Sequence, residues 1–267
     1  MNLREKFDTR VPPAFEIPSL EGKVSDEEWS LRVDLAATYR LVALHGWDDM
    51  VFTHISARVP GPEHHFLINP YGLMFEEITA SSLIKIDVEG NKVGESPFPV
   101  NPAGFTIHSA LHMNRDDAHC IIHLHTTDGV AVSAQADGLL PLDQHAMLII
   151  GDLAYHDYEG VALDLDERER LVRDIGNEKH TMLLRNHGTL ALGKSCADAF
   201  LRMYFLERSC SMQVRALSGG VKLNWPNQGV PEKTREQGAV AFDGMIGATA
   251  WPALLRKLDR IDSSFRH

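Results

Sequence analysis

The chain is poor in cysteine. Cys120, Cys196 and Cys210 are its only three, and no two stand in a CxxC pair. So sparse and odd a set argues against a disulfide framework, and Cys120, inside an apolar run, reads as a small packing residue. Positive charge is also scarce: 26 Lys and Arg against 37 Asp and Glu leave a net charge of −11. Such a surface repels nucleic acid and anionic membranes, so neither is an expected partner. No apolar run approaches the length needed to cross a bilayer, and the opening "MNLREKFDTR" has no apolar core of a signal peptide. The expected location is cytoplasmic. Internal repeats and low-complexity segments are lacking too.

What is present is an ordinary globular composition, 44% hydrophobic and 24% charged over 267 residues. A core of that size stabilises itself without metal staples, so a bound metal would serve chemistry rather than folding. Residues 1–24, with Pro12, Pro13 and Pro18 and no periodicity, read as an extended arm. "SDEE" (Ser25–Glu28) reads as a capping box, with Ser25 as cap and Glu28 reaching back. Leu31, Leu35, Tyr39 and Val42 continue at helical spacing, and Gly46 suits a left-handed stop.

Strand-like runs follow at 52–59, 65–70 and 83–87. A helical pattern covers 105–114, "HCIIHLHT" is a strand, and 128–136 is helical. A charged helix is expected over 165–176, strands over 180–186 and 188–193, and a long helix over 196–217. A loop over 218–231 and a last helix over 250–262 close the chain. This mixture implies an α/β domain over 25–220 with helices flanking a sheet. The tail, 221–267, is too small to be a domain. Trp251, Leu254, Leu255 and Leu258 give it an apolar side that either packs on its own domain or forms an interface.

Histidine carries the chemical signal. In "CIIHLHTTDG" (Cys120–Gly129), strand alternation puts His123 and His125 on one face and Ile122 and Leu124 on the other. The two imidazoles lie about 7 Å apart along the strand, and nitrogens tilted inward can share one cation. Two histidines with separate hydrogen-bond partners fit the same spacing. His187, in "LLRNHGTLAL", sits at a turn between apolar runs, where site residues gather, and Gly188 beside it allows close approach. His108 and His112 in "HSALH" share a helix face at i, i+4, a spacing that also suits metal. No Glu follows His108, however, and ordinary helix-face residues are the favoured reading. His54 and His145 lie in runs that could line a cleft.

"NPAGFTIHSALH", "CIIHLHTTDGVAVSA", "GLLPL", "AYHDYEG" and "LLRNHGTLALG", in this order and spacing, resemble the class II aldolase/adducin family over roughly residues 28–220. The wording is closest to the adducin head and its bacterial relatives. The resemblance implies a three-layer α/β/α fold with a central, mainly antiparallel sheet, and a homotetramer with sites between subunits. It also implies a divalent metal, usually zinc, held by three histidines that map onto His123, His125 and His187; iron and manganese suit the same donors.

Several positions depart from the sugar-phosphate aldolases that the sequence resembles. Gly104 stands where those enzymes carry a glutamate that serves as fourth ligand and proton-transfer base. Pro102 and Ala103 replace serines that grip the substrate phosphate, and "FTHIS" has Thr53 and His54 in place of Gly-Asn. Ser56 remains, and Asn69 and Gly72 of "NPYG" keep the second loop's shape; these three are the expected substrate-binding residues. A tyrosine supplied across the aldolase interface falls near His145.

The expectation is therefore a metal-dependent, aldolase-like lyase acting on a small carbonyl compound without phosphate. His145 or His108 would carry protons, since histidine titrates near neutrality. Two alternatives remain: a non-catalytic, oligomerising module like the adducin head, and an oxygenase with iron held by three histidines. Imidazole suits both iron and zinc.

Overall fold

The computed structural model describes residues 16–160 and 166–267. Most of the extended arm expected at the N-terminus, residues 1–15, lies outside that range, as does the first residue of the helix expected over 165–176. The first helix, α1 (Asp26–Leu44), starts as its sequence predicts: Ser25 caps it by accepting from the Glu28 N–H, and the first turn is acidic. Glu28 does not close a capping box. Its carboxylate is buried and pairs with Arg32 at 2.9 Å and Lys85 at 2.5 Å. His45 ends the helix, and Gly46 follows with φ of 66°.

Seven strands form one sheet: β1 (His54–Arg58), β2 (Phe66–Ile68), β3 (Ile84–Ile86), β4 (Cys120–Leu124), β5 (Leu153–His156), β6 (Thr181–Leu184) and β7 (Gly188–Gly193). Their order is β3-β2-β1-β4-β7-β6-β5. All neighbours are antiparallel except β5 and β6, joined by the crossover helix α5 (Glu167–Ile175). The remaining helices are α2 (Pro102–Asn114), α3 (Thr127–Ser133), α4 (Gln144–Ile149), α6 (Cys196–Ser218), α7 (Val230–Ala241) and α8 (Met245–Ile261).

Side-chain alternation splits β4 and fixes the layers. Ile122 and Leu124 face a core shared with Leu35 and Tyr39 of α1 and Phe200 and Met203 of α6. Ile121 faces the opposite core, with Ile107 and Leu111 of α2, Leu171 and Ile175 of α5, and Leu190 and Leu192 of β7. The result is an α/β/α sandwich whose sheet is mainly antiparallel, as the resemblance implies.

The tail departs from its reading as a loop and one helix, because α7 is a second helix within it. A Cβ on Gly238 would lie 2.2 Å from the Leu148 carbonyl oxygen, so this glycine lets α7 lie directly on α4. Trp251 and Leu258 are buried in the core beside α1 and α6, with Leu254 and Leu255 packed against it. The apolar side of the last helix is thus used within the chain. Sequence reading also passed over the short elements α4 and β5, whose six and four residues give too few periods to recognise.

Candidate metal centre

His123 shares the face of Ile121, beneath α2 and α5. It is 1% exposed. Its Nδ1 lies 3.0 Å from the Thr189 carbonyl oxygen, which can only accept, so Nδ1 carries the hydrogen and Nε2 a lone pair. His125, one residue past β4, directs Nδ1 to the Asp49 carboxylate at 3.1 Å. The two Nε2 atoms face each other at 2.9 Å. With both Nδ1 atoms donating to oxygen, neutral rings oppose two acceptors with no hydrogen between them. That is a contact a cation resolves.

His187 comes from the turn between β6 and β7. Its ring lies 4.7 Å from that of His123 and 4.9 Å from that of His125. Among the described residues these three form the group whose potential ligand atoms all lie within 4.8 Å of one another. The turn is built for close approach. Asn186 adopts φ of 57°, and a Cβ on Gly188 would meet the Leu124 carbonyl oxygen at 2.3 Å and His125 Cδ2 at 3.2 Å. Burial and the neighbouring His125 hold His187 down to about 4, and burial with the surrounding imidazoles holds His123 well below its ordinary value. Both rings are therefore neutral at pH 7, the state that binds metal. The donor set fits a borderline divalent cation: three imidazoles, two of them oriented through their second nitrogen.

Beside the triad lies a second set of histidines. His54 pairs with His123 across β1 and β4, with ring centroids 5.2 Å apart. Its Nδ1 is 3.0 Å from His108 Nε2. His108 Nδ1 lies 2.6 Å from Ser56 Oγ, which lies 2.7 Å from His112 Nε2. His112 Nδ1 ends the series 2.7 Å from the Ala118 carbonyl oxygen. All four side chains are at most 2% exposed. Burial, the largest cause, pushes His54 and His112 down to about 3 and His108 well below its ordinary value.

This arrangement revises several expectations. His108 meets the triad only through His54, since both its nitrogens are engaged elsewhere. Ser56 has its hydroxyl taken by two histidines rather than left open in a loop. Asn69 is 1% exposed and accepts from the Tyr39 hydroxyl at 2.9 Å; Gly72 turns the chain with φ of 105°. His145 sits on α4 against Phe205, 4.9 Å between rings, and 3.7 Å from Asp143. Within one chain it is not brought to the triad.

Two departures noted separately in the sequence prove to be one. A Cβ on Gly104 would lie 2.8 Å from His54 Cγ and Cδ2. The imidazole of His54 therefore fills the space into which a longer side chain at 104 would extend. Asp49 and Tyr158 were not singled out from sequence either. Asp49 orients His125, and the Tyr158 ring, 52% exposed, lies 5.9 Å from that of His187. An aspartate in "GWDDM" carries no signal of its partner 76 residues away.

The model of the class II aldolase and adducin N-terminal domain matches residues 33–214. A Caulobacter vibrioides protein named only for aldolase class 2 is 60% identical over 91% of this chain and 94% of its own length. Mouse alpha-adducin is 42% identical over 86% of this chain, which spans only 33% of that longer protein. Among solved structures, an aldolase II superfamily protein from Pseudomonas syringae superposes with a TM-score of 0.88 at 49% identity, covering 94% of this chain and all of that one. L-fuculose 1-phosphate aldolase from Glaciozyma antarctica gives 0.76 at 26% identity, covering 96% and 97%. The fold is thus that of a class II aldolase superfamily protein; the chain belongs to the class II aldolase and adducin N-terminal domain family.

Proposed function

We propose that this protein is a metal-dependent lyase of the aldolase type, acting on a small carbonyl compound that lacks phosphate. A divalent cation, zinc in the first instance, would be held by His123, His125 and His187. The observation that carries this reading is the opposed pair of Nε2 atoms, each ring oriented by an oxygen on its other nitrogen. Three protein ligands leave a position open, and a cation there supplies a Lewis acid that polarises a carbonyl oxygen.

The chain's own residues set the rest. Thr189 and Asp49 orient the ligands. Gly104 brings no carboxylate, and burial holds His54 and His108 neutral, so proton handling falls to His145 if a neighbouring subunit delivers it. We propose a homotetramer on the same grounds of family likeness, which native mass spectrometry tests. A phosphate-free substrate is supported by Pro102 and Ala103, which offer no hydroxyl, and by Ser56, already bound to two histidines.

Metal analysis of anaerobically purified protein, followed by retro-aldol assays on small hydroxycarbonyl compounds, tests this reading. Stoichiometric zinc with turnover is the expected result. Protein that binds no divalent metal would return the chain to the non-catalytic role, and bound iron with oxygen uptake would replace the lyase by an oxygenase.

A further inference from the structure

We propose that Glu207, a buried carboxyl on α6, is a positioning residue of the candidate metal centre: its side chain spans Thr126 and Thr189 and so fixes His125 relative to the carbonyl that orients His123. Its hydrogen bonds go to the two threonines, and it acts through them. This rests on the metal reading above for what the two histidines hold.

The need for such a span lies in where the sheet stops. The β4–β7 ladder ends with Leu124 opposite Thr189. His125 lies one residue beyond that last pair, and Thr126 next to it begins α3 as its N-cap. The ladder therefore sets His123 but not the segment that carries His125. Pairing puts the Thr189 side chain on the face of Leu124, towards α6, while its backbone carbonyl receives His123 Nδ1 at 3.0 Å. Glu207 lies on that α6 side and is 1% exposed. One carboxyl oxygen is 2.5 Å from Thr126 Oγ1 and the other 2.5 Å from Thr189 Oγ1. The side chain thus ties the segment just past His125 to the residue behind His123.

The surroundings are shaped to this span. A Cβ on Gly129 would meet Thr126 Oγ1 at 2.6 Å, Thr189 Cγ2 at 2.8 Å and Glu207 Oε1 at 3.2 Å, so the lack of a side chain there lets the three meet. A buried carboxyl costs free energy unless its oxygens are bonded, and here both are. Burial, the largest cause, pushes it up to about 7, with the threonine hydroxyls opposing. Both contacts persist in either charge state. A carboxylate accepts from both hydroxyls; a neutral carboxyl donates to Thr189, whose own hydrogen turns to Met203 Sδ at 3.4 Å. Length rather than charge is what the position requires.

Two variants separate the properties. Glu207→Asp shortens the side chain by one methylene and keeps its charge; Glu207→Gln keeps the length and removes the charge. Zinc affinity by chelator competition, and the visible ligand-field bands of the cobalt(II)-loaded full-length protein, compare them with the wild type. Glu207→Asp should lose at least about tenfold in affinity, the usual size for a partner behind a ligand, and shift the cobalt bands. Glu207→Gln should match the wild type in both. A purely architectural role would lower the urea midpoint of metal-free Glu207→Asp and leave affinity and bands alone, and that result overturns the proposal. A weakened Glu207→Gln overturns it too, because charge would then be the working property. Wild-type protein that takes up neither zinc nor cobalt sinks the metal reading and this proposal with it, whereas wild-type uptake with an indifferent Glu207→Asp sinks the role of Glu207 alone. If Glu207→Asp does not fold, Thr189→Val serves instead. It keeps the carbonyl behind His123 and removes the hydroxyl, so affinity should fall in the same direction; an unchanged affinity and spectrum there count against the proposal.

Discussion

Two groups of histidines lie side by side on one face of the sheet and end differently. In the buried group every nitrogen of His108 and His112 has a partner, and the series ends on a backbone carbonyl. In the triad the second nitrogens are oriented by Thr189 and Asp49, and the first ones converge with no donor between them. The residue type is the same, and so is the burial of His123 and His108. What separates a structural histidine from a candidate metal ligand here is whether the hydrogen-bond count closes. His54 stands between the two groups and belongs to the saturated one by Nδ1 only.

The contrast can be broken from either side. The largest effect is expected for His123→Ala: metal analysis should find no stoichiometric cation, because the central ligand and its Thr189-held orientation are gone, while His112→Phe should keep its metal. Retention of metal in His123→Ala would falsify the ligand set.

Acid should act on both groups together. His54 and His112 at about 3 and His187 at about 4 resist protonation in the folded protein, whereas unfolded histidines accept a proton near 6.5. Below 6.5 the unfolded chain therefore binds more protons, and stability falls as pH drops towards those folded values. Each such ring removes about 1.4 kcal/mol per pH unit in that window. Urea unfolding of metal-free protein at pH 7.5 and 5.5 measures it; equal midpoints would mean that the rings are charged when folded.

Ser56→Ala removes the atom that joins two buried imidazoles and leaves His108 Nδ1 without an acceptor. A loss of about 2–3 kcal/mol is expected in the same urea assay, with metal content unchanged. Should metal be lost as well, the two groups are one unit rather than two.

The smallest effect concerns Asp49, which is partly exposed and whose carboxylate pairs with His125. Asp49→Ala should weaken zinc affinity by about 10- to 100-fold, the usual size for a partner behind a ligand. Competition with a chromophoric chelator reads it, and an unchanged affinity would show that His125 is oriented by other means.

Much of this was legible in the sequence because it depends on near neighbours. The period of two in "CIIHLHT" puts His123 and His125 on one face whatever lies around the strand. Ser25 caps α1 because its hydroxyl reaches only three residues on. The turn at Asn186–Gly188 announced itself through residue types that tolerate a left-handed backbone or a close approach. Glu28 misled, since a carboxylate three residues from a cap can equally turn inward to Arg32 and Lys85, and which it does depends on a strand 57 residues away.

The residues thus determined an α/β chain with a pair of imidazoles on one strand face and a third at a later turn. They also determined the missing carboxylate at Gly104. Only the tertiary structure decided that His54 lies against that glycine, that Ser56 joins His108 to His112, and that Asp49 stands behind His125. Each of these contacts joins residues 50 or more positions apart. A donor's partner at such separation is chosen by which strand and helix pack together, and no local pattern records that choice.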